Sequence, residues 1–271
     1  MAADESPFRF RAAVTRAVPA SLPAAALRQD SHAPPVDLAH ARAQHAAYVA
    51  ALRRLVPTVV ELLEDQEYPD SVFVEDAAVC IGPTACITRP GHPSRRGEVD
   101  AIETALRAAG LTTIRLADLA PADADATVDG GDVLWTGREI FVGLSSRTNA
   151  TGAAALQRAF PAWRVITVAV AAGLHLKSFC AMAAPDVVAI GPSPAARAAR
   201  AAIEASSPGV YRFIELPTDA AANCVVANGH VLHVPAAGGA FDGLGVVPVE
   251  VANDELAKVD GALTCCSLLL A

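Results

Sequence analysis

The sequence predicts an α/β fold made of one strand–strand–helix–strand unit repeated five times. Three observations carry this. Pairs of β-prone runs joined by turn residues recur along the 271-residue chain. Amphipathic or Ala-rich helical patterns lie between the pairs. Small polar clusters sit at the same place in each pair, near positions 75, 129, 176, 223 and 265, which gives a repeat of roughly 42–54 residues.

The first hairpin spans residues 72–89 and turns at Gly82-Pro83. The second, 128–144, turns at Thr136-Gly137, and the third, 174–191, near Pro185-Asp186. The fourth, 221–234, turns at Asn228-Gly229, a dipeptide that accepts positive φ at both positions and so suits a two-residue hairpin loop. Residues 260–271 supply half of a fifth hairpin. Residues 8–18 are its expected missing partner, so the first strand would close the last unit like a clasp. A helix is expected over 37–55, with Leu38, Ala41, His45, Tyr48, Leu52 and Leu55 on one face behind an Asp37 N-cap. Further helices are expected over 95–109, 149–160 and 194–206, with a short fifth over 251–258. The loops at 28–37 and 116–127 are too short to divide the chain, so residues 1–271 are expected to form one domain.

Hydrophobic residues make up 53% of the chain and charged residues 18%, which excludes extended disorder. No apolar run approaches the ~20 residues of a membrane-spanning helix. Residues 1–11 lack the apolar core of a secretion signal. A soluble cytoplasmic protein is expected, a monomer or homodimer. The net charge is −8 and no basic run occurs, which argues against a nucleic-acid surface. The six cysteines form no CxxC and no zinc-ligand spacing, and read as free thiols. Asp123, Asp125 and Thr127 resemble the start of a calcium loop, but Val128 and Leu134 occupy the positions that need Gly and Glu.

The repeat brings its polar clusters together. Unit one offers Asp70, Glu75 and Asp76; unit two Asp129 and Asp132; unit three His175, Lys177 and Ser178; unit four Asn223 and Cys224; unit five Cys265 and Cys266. Each has an ordinary explanation on its own. Glu75-Asp76 can form salt bridges or cap a helix, Asp129 can set a turn with Gly130-Gly131, and the others can be core residues. Together they offer a Cys–His–carboxylate system beside an acid pair that suits a planar cation such as a guanidinium.

Longer motifs sharpen this: PDSVFVEDAAV at 69–79, ITRPGHPSRRGEVD at 87–100, ATVDGGDVLWTGREIFVGLSSRTN at 126–149, GLHLKSFCAMAAP at 173–185, DAAANCV at 219–225 and ELAKVDGALTCCS at 255–267. In these the chain resembles the dimethylarginine dimethylaminohydrolases of the guanidine-modifying superfamily. The resemblance implies a five-fold pseudosymmetric α/β propeller. It implies hydrolysis of Nω-methylated arginine to citrulline and a methylamine, with no cofactor and no required metal. Cys265 then matches the nucleophile, His175 the general acid and base, and Asp129 the carboxylate that orients His175. Glu75 and Asp76 match the pair that holds the guanidinium. Asp70, with backbone groups of Leu27 and Val259, matches the α-amino end, while Arg95 and Arg147 match clamps on the α-carboxylate. Zinc held by Cys265 and His175 would inhibit. Loop 28–37 is similar to a lid. Residues 234–245 are Gly-rich where relatives carry a longer helical insert. An arginine deiminase or other guanidine-modifying enzyme, or a catalytically idle arginine-binding regulatory protein, are the alternatives. Parity along a strand would put Cys265 and Cys266 on opposite faces.

Overall fold

The computed structural model describes residues 6–120, 123 and 125–271. Residues 1–5, which the secretion-signal reading includes, and part of the expected acidic loop at 116–127 lie outside it. The start of that loop is a short helix, Leu116–Leu119.

The strands are β1 (Ala12–Arg16), β2 (Thr58–Leu62), β3 (Ala78–Ile81), β4 (Thr84–Ile87), β5 (Thr112–Arg115), β6 (Val133–Trp135), β7 (Ile140–Leu144) and β8 (Val165–Ala169). They continue with β9 (Cys180–Ala184), β10 (Val187–Ile190), β11 (Arg212–Glu215), β12 (Val225–Ala227), β13 (His230–His233), β14 (Val247–Glu250) and β15 (Leu268–Leu270). They make five separate three-stranded sheets, ordered β3-β4-β5, β6-β7-β8, β9-β10-β11, β12-β13-β14 and β15-β1-β2. In each, two strands pair antiparallel, a crossover follows, and the third strand runs parallel to the second. The expected clasp is present: Ala12 pairs with Leu270 and Val14 with Leu268. Among the described residues no sheet closes on itself.

Four crossovers carry the expected helices, Leu38–Leu55, Val99–Ala108, Ala150–Ala159 and Pro194–Ser206. Asp37 caps the first by accepting from the His40 amide at 3.0 Å. The fourth unit departs from the pattern. Its Gly-rich crossover holds a single 3₁₀ turn, Pro235–Ala237, and the expected fifth helix is only Asp254–Ala257, placed after β14. Each apolar cluster of the core draws on at least two sheets. Val79 and Ile81 meet Val133 and Val142, for example, while Val14 and Leu268 meet Ala85 and Ile87.

The N-terminal strand is tied down by one side chain. Asn228 sits at the predicted turn with φ +48°, followed by Gly229 at +78°. Its Oδ1 accepts from the Phe10 amide at 2.8 Å, and its Nδ2 donates to the carbonyls of Phe10 at 2.8 Å and Leu55 at 2.7 Å. At about 1 kcal/mol per net hydrogen bond, Asn228→Ala is expected to lower stability by about 2–4 kcal/mol. A denaturant titration would show a lower midpoint at unchanged slope. A midpoint equal to that of the wild type would contradict this account.

Candidate active site

The polar clusters sit on short turns that precede the first strand of each unit, and not on the strands themselves. Glu75 and Asp76 lie on the 3₁₀ turn Val74–Ala77, and Cys265 and Cys266 on the turn Thr264–Cys266. The parity expectation therefore does not apply to the cysteine pair. Gly130–Asp132 and Leu176–Ser178 are the equivalent turns of units two and three, and these turns pack against one another. The packing explains the two glycines of the VDGGD motif. A Cβ on Gly131 would lie 2.5 Å from His175 Nδ1, and one on Gly130 would overlap the Glu75 carbonyl.

One cavity of about 260 Å³ gathers most of the expected residues. Leu27, Asp70, Asp76, Arg95, Arg147, His175, Val259 and Cys265 line it, together with His92, Ser146 and Asp260. Cys265 faces this space; Cys266 is buried in the core beside Tyr48, and its Sγ donates to the Ala262 carbonyl at 3.5 Å. Asp129, fully buried, stands behind His175, with its Oδ2 2.9 Å from His175 Nε2 and its Oδ1 accepting from the Gly91 amide at 2.8 Å. Asp76 Oδ1 is 4.0 Å from the same His175 nitrogen and accepts from the Gly131 amide at 2.9 Å. The Leu27 amide donates to both oxygens of Asp70, at 3.1 and 3.3 Å. Loop 28–37 is held at both ends. Gln29 N donates to Asp260 Oδ2 at 2.6 Å, and Asp37 N to Glu255 Oε2 at 2.8 Å.

Two expected residues take other positions. Glu75 is bound by Lys177 Nζ and by Thr264 Oγ1, the latter at 2.8 Å, and faces a second, mostly apolar cavity that Thr264 and Lys177 also line. The acid pair is thus split between two cavities, because adjacent residues on a tight turn point in different directions. Arg95 was expected to clamp a carboxylate with two parallel bonds. Its guanidinium is instead gripped by Glu98, with Nε and Nη2 donating at 3.0 and 2.7 Å, and by Asp76 at Nη1. Nη2 also reaches the carbonyls of Asp70 and Phe73. Of its five N–H groups, one on Nη1 is left over. The Arg147 guanidinium has no protein partner among the described residues and lines the cavity.

Asp132, absent from the expected set of site residues, links two parts of the cavity wall. Its Oδ1 accepts from the Leu176 amide at 2.9 Å and its Oδ2 from Ser145 Oγ at 2.6 Å; Ser145 Oγ in turn accepts from the Arg147 amide at 3.0 Å. Asp76, Asp129 and His175 bring one donor atom each within 4.8 Å of one another, and Cys265 lies outside that cluster.

The charges follow from burial. Burial and the nearby Glu75 and Asp76 push the Cys265 thiol well above its ordinary range. Burial also pushes Asp132 up to about 6. For Asp76 burial acts the same way, but His175, Arg95 and the Gly131 amide outweigh it and hold the carboxyl low. Burial alone would lower His175; Asp76, the hydrogen bond to Asp129, and Asp132 overcome it and raise the imidazole to about 9. At neutral pH the site therefore holds an imidazolium and a neutral thiol.

The family model described as N,N dimethylarginine dimethylhydrolase, eukaryotic, matches residues 26–192. The chain belongs to that family. The dimethylarginine dimethylaminohydrolase of Streptomyces coelicolor is 36% identical over 242 residues, 87% of this chain and 88% of the relative. A bovine relative named DDAH2 is 41% identical over 214 residues, 79% of this chain and 73% of its own length. The solved dimethylarginine dimethylaminohydrolase of Pseudomonas aeruginosa, a cysteine-to-serine variant complexed with citrulline, superposes with a TM-score of 0.82 at 31% identity. That match covers 97% of this chain and 100% of the other. The N-terminal domain of a cyanobacterial arginine dihydrolase reaches 0.82 at 16% identity, covering 96% and 98%, a likeness of fold alone.

In this family member the His175 charge is a pH-linked support of the fold. Its folded value of about 9 lies above the ordinary 6.5, so the stabilisation is complete below pH 6.5 and is lost as pH rises through 9. An NMR titration of His175 in the free protein should show its midpoint near 9. Asp129→Asn should move that midpoint down. A midpoint at or below 6.5 in the unaltered protein would refute the charge assignment.

Proposed function

We propose that this protein hydrolyses Nω-methylated arginine to citrulline and dimethylamine or methylamine. The observation that carries the reading is the convergence of Cys265, the His175–Asp129 pair and Asp76 on one cavity whose wall also includes Arg147, in a chain of this family. In the proposed chemistry the substrate guanidinium lies against Asp76, where its positive charge lowers the Cys265 thiol and the proton leaves to solvent. The thiolate adds to the guanidinium carbon. The His175 imidazolium gives its proton to the departing amine, and the C–N bond breaks, leaving a thiouronium on Cys265. The neutral imidazole then takes a proton from water, whose oxygen adds to the same carbon. The hydroxyl proton passes to the departing sulfur as the C–S bond breaks, so citrulline leaves and Cys265 returns to the neutral thiol.

Asp129 orients His175. Asp70 takes the α-ammonium with backbone groups of Leu27 and Val259. Arg147 is the main partner of the α-carboxylate, and Arg95 adds its one remaining N–H. Glu75 acts from behind the turn, next to Lys177. Loop 28–37 covers the substrate's amino-acid end. The five sheets of the one domain are read as blades of a propeller around this site. The cyclic pairing of core clusters supports this, with sheet β15-β1-β2 packing on β3-β4-β5. Among the described residues no helix is long and apolar enough to cross a membrane. With six unpaired thiols, a reducing cytoplasm is the compartment that fits.

Cys265→Ser should abolish citrulline release while Cys266→Ser keeps much of it; the reverse result would move the nucleophile to Cys266. Dimethylarginine or monomethylarginine should be preferred to arginine, and a clear preference for arginine would make this a deiminase. No citrulline from any of the three would point to an idle binding protein. Agmatine has no carboxylate and would leave Arg147 unpaired. At ~1.5–3 kcal/mol for each charged hydrogen bond, and more than one bond lost, kcat/KM should fall by about a hundredfold. Comparable kcat/KM on agmatine would remove Arg147 from the carboxylate site.

A further inference from the structure

We infer that Asn223 is a positioning residue, whose carboxamide holds the turn carrying Cys265 in register with the turn carrying His175. Unit four contributes no acid, base or nucleophile to the cavity, yet its polar position is occupied and 2% exposed. Asn223 Nδ2 donates to the Lys177 carbonyl at 2.8 Å and to Thr264 Oγ1 at 3.0 Å, and Asn223 Oδ1 accepts from the Thr264 amide at 3.0 Å. Lys177 lies two residues after His175 on the turn Leu176–Ser178, and Thr264 directly precedes Cys265. The first amides and last carbonyls of a helical turn lack partners inside it. One carboxamide serves an amide of one turn and a carbonyl of the other, and Thr264 Oγ1 passes the connection on to Glu75 Oε2 at 2.8 Å.

The residue type follows from this geometry. A carboxamide is neutral and both donates and accepts. Leucine has the same branching but is bulkier, and makes neither bond. A carboxylate could accept from Thr264 but not donate to Lys177, and would add negative charge beside Glu75. Nothing in these contacts touches the cavity, so Asn223 acts on the reaction only through the two turns. Near-attack geometry is steeply sensitive to such placement: a shift of about 1 Å can cost roughly a hundredfold in rate.

The inference rests on the proposed reaction, so its test has a readout with substrate and one without. Asn223→Ala and Asn223→Asp are compared with the unaltered protein, with melting curves as the check of folding. Citrulline release is measured on whichever guanidine the unaltered protein turns over fastest. Iodoacetamide capture of Cys265, followed by peptide mass spectrometry, is measured without substrate. For Asn223→Ala we expect kcat lower by about a hundredfold with KM within about threefold, because the groups binding the amino-acid end are untouched. Capture of Cys265 should speed up as its turn loosens, with Cys266 unaffected. For Asn223→Asp, kcat should fall similarly, and capture of Cys265 should require higher pH because a further carboxylate raises the thiol. A kcat near that of the unaltered protein in a folded variant, or a rise in KM that accounts for the loss, overturns the inference. If the Ala variant does not fold, the Asp variant, which keeps the acceptor for Thr264, decides by the same criteria. If the unaltered protein releases no citrulline from any guanidine, the proposed reaction fails separately. Cys265 capture then decides: an unchanged rate overturns the link between the turns, and an altered one supports it.

Discussion

A carboxylate buried away from water stays charged only where partners replace its hydration, and Asp76 is the residue that imposes this condition on its surroundings. It is 2% exposed, and its partners come from different segments. Arg95 pairs with it, the Gly131 amide donates to it, and His175 lies 4.0 Å away. Each partner carries its own demand. Arg95 is itself buried and needs Glu98, three residues on, to balance the second half of its guanidinium. The Gly131 amide can come this close only because no side chain stands between it and His175. The His175 proton is held by the field of three carboxylates. Removing one member of such a buried set leaves the rest uncompensated, typically at a cost of about 3–5 kcal/mol.

Much of this was legible in the chain because the repeat is written in its turns. Gly82, Gly137, Asp186, Asn228 and Gly229 all adopt the positive φ that hairpin turns of this kind require. Glu75-Asp76 interrupts an otherwise apolar stretch, and that stretch is a 3₁₀ turn followed by a strand, which hydrophobicity alone does not separate. Arg95 and Arg147 were read as equal because both motifs offer an arginine. The spacing of Arg95 and Glu98, three apart on one turn, was a signal that one of them was already engaged. Asp132 and Asn223 stand among the polar clusters of the repeat, but the pattern does not show what they hold. Their roles lie in bonds to backbone amides and carbonyls of other units, which a side-chain pattern does not reveal.

The comparison with solved structures separates what the fold conserves from what the site decides. A TM-score of 0.82 is reached both at 31% identity, by the Pseudomonas aeruginosa enzyme, and at 16%, by a cyanobacterial arginine dihydrolase domain. The backbone arrangement thus persists under wide sequence change, and chemistry must be argued from the residues on the turns. The fourth unit illustrates the tolerance. Its crossover has a 3₁₀ turn where the others have a helix, while the turn before its hairpin supplies Asn223 and the hairpin loop supplies Asn228 to neighbouring units.

The pairing of β1 with β15 has a consequence for how the molecule comes to be. Every other antiparallel pair joins strands that are neighbours in the chain and can form as soon as both are made. β1 emerges early from the ribosome and must keep an open edge until Leu268–Leu270 arrives. The turn bearing Cys265 directly precedes that strand, so the thiol is set in place in the same late event that covers the edge. The turn Thr264–Cys266 thus takes its final place only as the last sheet is completed, and until then the open edge of β1 is a surface that favours unwanted strand pairing.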